Sequence, residues 1–129
     1  MRVAASIVAA WLGIGLGTAA QDLPESPHSE IGYPSPQTAL AALRNKPGVT
    51  STEQNGWFVL RDTGENTIWS ITSEQHQAYP TAVKRSLVES DGSVHLEMNV
   101  QCGASKSVCD QVVRDFQALN GKLRKSLDQ

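Results

Sequence analysis

Cysteine, aromatic residues, clustered positive charge and long apolar runs are all scarce in this chain, and each scarcity excludes something. Of 129 residues only two are cysteines, Cys102 and Cys109. Their spacing is not the two-residue gap of a redox motif, and no further Cys or His completes a zinc site. Aromatics make up 5% of the chain, so Trp57 and Trp69 are expected to supply core volume rather than a platform for sugars or peptides. The net charge is −2, and the longest basic block in the body is Lys84-Arg85. Nucleic acid, which needs clustered positive charge, is not an expected partner. The longest apolar stretch, Val3 to Leu16, is too short and too glycine-rich for a membrane span of about 20 residues. Phosphate loops, dinucleotide fingerprints and Ser-centred elbows are missing, and no metal, nucleotide or organic cofactor is implied.

That apolar stretch has another reading. Met1-Arg2 gives a short basic start, and Thr18-Ala19-Ala20 gives the small residues a signal peptidase requires, so residues 1–20 are read as a cleaved signal peptide. No stable membrane anchor is expected. Residues 21–34, part of a stretch to Pro36 holding four of the six prolines, read as a mobile leader, with His28 solvated. Residues 35–129 then form a single domain. An exported protein meets an oxidising compartment, so Cys102 and Cys109 are expected to pair, with a stabilisation of about 2 kcal/mol from closing so short a loop.

Ser35 can cap a helix that has Pro36 at its first position, with Ala39, Leu40, Ala42 and Leu43 as its apolar stripe and Pro47-Gly48 as its stop. From Val49 the period becomes two-fold. Asn55-Gly56 between 49–54 and 57–62 signals a hairpin, and after a turn at 62–66 the segment Thr67 to Thr72 reads as a third strand. Asp91-Gly92 marks a second hairpin. Counting outward from Ser90 and Ser93 sets Leu87 opposite Leu96, Arg85 opposite Met98 and Lys84 opposite Asn99. One face then carries Val83, Leu87, Val94, Leu96, Met98 and Val100. The other carries Lys84, Ser86, His95, Glu97, Asn99 and Gln101, with Val88 as its exception. Val108, Val112, Phe116, Leu119, Leu123 and Leu127 recur at steps of three and four, the stripe of a long amphipathic helix. Its last turn carries Lys122, Arg124 and Lys125, a basic cluster that complements the helix dipole. The expected fold is α+β: a five-stranded antiparallel meander packed on one face by a short N-terminal and a long C-terminal helix.

The expected wet face of that sheet brings Lys84, His95 and Glu97 together, with Lys84 diagonal to Glu97 and within reach of a charge pair. The polar loop 73–80 adds His76 and Tyr79. These five residues are the candidate binding residues. A flat, wet face favours binding over catalysis, because nothing excludes water from it.

The run Trp69-Ser70-Ile71-Thr72, then His76, Ala78, Tyr79-Pro80 and Val83-Lys84-Arg85, and finally Cys102, Cys109 and Phe116-Gln117-Ala118-Leu119-Asn120, resembles a group of small exported proteobacterial proteins of unassigned function. Some members of that group carry a DnaJ-type chaperone label. This chain has no His-Pro-Asp tripeptide in a helical hairpin, so the resemblance implies a Gram-negative periplasm and no particular chemistry. The sequence therefore leads to a non-enzymatic periplasmic binding or accessory protein that acts on a periplasmic protein or envelope component through the open sheet face and the 73–80 loop. Two other classes stay open. One is a small hydrolase or transferase using His76 or His95 as base with Glu97 as orienter. The other is an inhibitor-like module that blocks a partner enzyme.

Overall fold

The structure, a computed structural model, describes residues 30–127. The expected signal peptide, and the leader up to residue 29, lie outside the described residues. Along the chain come α1 (Pro36–Arg44), β1 (Val49–Gln54), β2 (Trp57–Asp62), β3 (Thr67–Thr72), β4 (Thr81–Ser90), β5 (Ser93–Cys102) and α2 (Lys106–Leu127). The strands form one antiparallel sheet in the order β1-β2-β3-β4-β5. This is the expected α+β meander, and local signals explain its elements. Ser35 accepts a hydrogen bond from the Thr38 N–H, and Pro36 opens α1. Asn55 and Asp91 adopt positive φ, as do the glycines after them, which is the backbone a two-residue hairpin needs. The β4–β5 register follows from that turn, with Leu87 opposite Leu96 and Lys84 opposite Asn99.

The helices do not share a face. One core gathers Val83, Val100, Cys102 and Met98 from the sheet under Cys109, Val112, Val113 and Phe116 of α2. A second core sets Ala39 and Leu43 of α1 against Leu60, Trp69, Ile71 and Ala82. Cross-strand pairing puts Leu60 beside Trp69, and Trp69 beside Lys84. The α1 layer therefore lies on the face of Lys84, the side expected to be wet. The physical reason is in β2 and β3. Phe58 and Leu60 point to one side while Trp57 and Val59 point to the other, and Ile68 opposes Trp69 and Ile71 in the same way. A strand pair that is apolar on both faces needs cover on both, whereas the one-sided pattern of β4 and β5 describes only its own half of the sheet.

The folded body also starts earlier than Ser35. Ile31 is 1% exposed, Tyr33 stacks edge-on against Trp69 at 5.8 Å, and Asn99 Nδ2 donates to the Glu30 carbonyl at 2.8 Å. The end of the expected leader is thus a strap across the α1 face.

The disulfide joins Cys102, at the end of β5, to Cys109, in the first turn of α2. Its Cα–Cα separation of 5.9 Å is within the usual range. Beside it the Ser105 hydroxyl accepts from the Val108 N–H, and Gly103 N–H donates to the Pro80 carbonyl at 2.8 Å. A Cβ on Gly103 would come within 3.3 Å of that same oxygen. The start of α2 is therefore fixed to the sheet by covalent and hydrogen bonds together.

Candidate functional site

The five candidate binding residues are not brought together. His76 lies on the α2 side of the sheet, where its ring meets Trp57 edge-on at 4.8 Å. Tyr79, three residues on, turns to the α1 side, and its hydroxyl accepts from Gln37 Nε2 at 3.3 Å. It borders a shallow groove with Leu40, Phe58 and Ile71. Lys84 is half-buried under the N-terminal strap, its Nζ 5.5 Å from the centre of the Trp69 ring. His95 and Glu97 are exposed near the far hairpin. The expected Lys84–Glu97 charge pair is not among the ion pairs of the described residues, which are Lys46–Asp62 and Lys106–Asp110.

The Lys46–Asp62 pair belongs to the strap side. Asp62 is 4% exposed, and Lys46 Nζ reaches its Oδ2 at 2.6 Å from the loop after α1. The hydrogen bond that Lys46 donates to Asp62 outweighs desolvation and, with the carboxylate's charge, raises the lysine above its ordinary value.

A larger concavity lies on the other face. α2 packs over β4 and β5 and stands off the β1–β3 half of that face, so a cleft of about 510 Å³ opens between helix and sheet. Trp57, Val59 and Ile68 form its floor, with Val108, Val112 and Leu119 along the helix wall. Leu119 is 45% exposed. The expected stripe had Val108 and Leu119 facing the core, but the residues buried against the sheet are Cys109, Val112, Val113, Phe116 and Asn120. Val112 and Phe116 of the expected stripe are buried, Val108 packs at the core's edge, and the buried side is rotated so that Leu119 is left to line the opening.

Polar side chains share the lining with these apolar ones, among them His76, Arg61 and Arg85. His76 accepts the Ala78 N–H on Nδ1 at 2.9 Å, so the neutral ring carries its proton on Nε2. Arg85 rises from β4 beneath α2. Its guanidinium lies 5.1 Å from the centre of the Phe116 ring, and Nη1 donates a long bond of 3.4 Å to Asn120 Oδ1. Its buried Nε has no partner. Burial lowers the guanidinium from its ordinary value, and the positive charge of Arg61 adds to that shift. Arg61 pairs with Ile68, and Ile68 with Arg85, so the two arginines flank Ile68 in one row across three strands.

Sequence reasoning missed Arg61 and Arg85 as site residues. Part of a signal was present: carrying the register through the turn at 62–66 sets Arg61 beside Ile68. The β3–β4 register that adds Arg85 to the row spans the 73–80 loop, and the burial of Arg85 depends on where α2 lies, which no local pattern states. Among the described residues, no group of three or more His, Cys, Asp or Glu side chains is placed to hold a metal, and no helix is long and apolar enough to cross a membrane. No family model, curated protein or solved structure matches the chain.

Proposed function

We propose that this protein is a non-enzymatic binding or accessory protein of the periplasm, and that it binds an envelope component in the cleft between α2 and the β1–β3 half of the sheet. This surface lies on the opposite side of the sheet from the expected one, which carries Lys84, His95 and Glu97, and the 73–80 loop contributes His76 to its rim. The observation that carries the proposal is the cleft itself: about 510 Å³, with apolar side chains on floor and wall interleaved with polar and charged ones. Small-molecule sites commonly enclose about 300–1,000 Å³. Catalysis by the expected residues gains no support. His76 and His95 stand on opposite sides of the sheet, Nδ1 of His76 is occupied by a backbone N–H, and Glu97 is exposed on the other face.

The test is native mass spectrometry of the protein isolated from the periplasm, with two variants. Ile68→Trp fills the cleft floor, and the triple Lys84→Ala/His95→Ala/Glu97→Ala alters the opposite face. A bound small molecule present in wild type and triple variant but missing from Ile68→Trp is the expected result. Loss of the bound species in the triple variant alone would move the site to the α1 face, and no bound species in any form would remove the reading.

A further inference from the structure

Resting on that reading, we infer that the cleft takes an amphiphile with an anionic head and an apolar tail, its head at the Arg61–Arg85 row and its tail along Trp57, Val59 and Leu119. The argument begins with charge. Exposed Arg61 and partly buried Arg85 occupy the two ends of one row across three adjacent strands, their backbones about 10 Å apart at two strand spacings. Neither belongs to an ion pair among the described residues. A partly desolvated cation without a counter-ion is unfavourable, so folds normally supply a carboxylate. Here the nearest protein partners of Arg85 are neutral, namely the Phe116 ring and the Asn120 amide. Asp115 also borders the cleft, but it accepts from Gln111 Nε2 at 2.7 Å, one turn back on its own helix. The missing counter-charge is therefore one a ligand can bring.

The apolar part follows from what surrounds the row. Val59 lies one strand position from Leu60 and faces the cleft, Ile68 separates the arginines, and Leu119 presents a side chain that the core does not use. An inorganic anion would satisfy the arginines and leave this surface wet. A neutral chain would cover the surface and leave the guanidiniums unpaired. A molecule combining both features satisfies both walls.

Decanoate, monodecyl phosphate and decanol are the probes, titrated into the purified protein below their aggregation concentrations and followed by isothermal calorimetry. Each anion is expected to bind at least about 10-fold more tightly than decanol, as charge-assisted hydrogen bonds to a guanidinium do. The better of the two identifies the head as carboxylate or phosphate. Arg85→Gln should erase most of that preference while decanol binding stays within about three-fold, with circular dichroism confirming the fold. Equal binding of decanol and both anions, or anion binding unchanged in both Arg85→Gln and Arg61→Gln, overturns the inference yet leaves a cleft that binds. Binding of none of the three overturns it as well, and the function proposed above then stands or falls on the mass spectrometry with Ile68→Trp.

Discussion

Trp57 and Trp69 stand on opposite faces of the same sheet, Trp57 edge-on to Phe116 at 5.3 Å beneath α2 and Trp69 edge-on to Tyr33 beneath the N-terminal strap. Only Trp57 borders the cleft. A cleft ligand should therefore shift the emission of Trp57, and the change should vanish in Trp57→Phe but persist in Trp69→Phe. The two also differ in what they hold up. Trp69 is 3% exposed, so Trp69→Ala should cost about 3–5 kcal/mol, against roughly 2–3 kcal/mol for the partly buried Trp57, measured by urea denaturation.

Arg85 has the opposite balance. Its partly buried charge lowers stability, and Met at this position keeps a long side chain against Phe116 without the desolvation cost. Arg85→Met should raise the ligand-free protein's stability by up to about 1 kcal/mol, a figure discounted because part of the guanidinium still reaches solvent. A lower melting temperature for this variant would show that Arg85 stabilises the fold rather than leaving a charge to be matched.

The Lys46–Asp62 pair predicts a pH dependence. The lysine is raised in the folded state by its bond to Asp62, so it binds its proton more tightly folded than unfolded. Its contribution is fully present below the ordinary lysine value and is lost as pH rises through the raised one. The stability gap between wild type and Lys46→Met should be constant through neutral pH and narrow in the alkaline range, read as melting temperature against pH. A gap that stays constant into strong alkali would mean that the methylenes of Lys46, not its charge, account for the difference.

Removing the disulfide by Cys102→Ala/Cys109→Ala should cost about 2 kcal/mol, from the loss of a short closed loop in the unfolded chain. Calorimetry checks the magnitude. Because Cys102 and Cys109 are 3% and 4% exposed, reductant added to the folded protein should act slowly and accelerate with mild denaturant, as accessibility controls the exchange.

Most of the fold was legible because its signals are local. Asn55-Gly56 and Asp91-Gly92 determine two hairpins, and the β4–β5 register follows residue by residue from the second. Ser35-Pro36 starts α1 at the expected residue. The placement of the helices was less legible, because the alternation in β4 and β5 was read for the whole sheet while Trp57, Val59 and Ile68 mark a second apolar face in β2 and β3. The candidate residues separated for the same reason. Loop 73–80 crosses from one side of the sheet to the other, so His76 and Tyr79, close in sequence, serve different surfaces. Ile31 escaped notice because one apolar residue among prolines and polar neighbours has no period to betray it.

The bridge between Cys102 and Cys109 also governs how the helix can move. Its first turn is tethered to β5, while its last residues reach Leu127, which is 50% exposed. Breathing of α2 away from the sheet would pivot at the tethered turn, like a door on its hinge, with the largest excursion toward Leu127. The same bond that staples the domain therefore also sets which way its gap can widen.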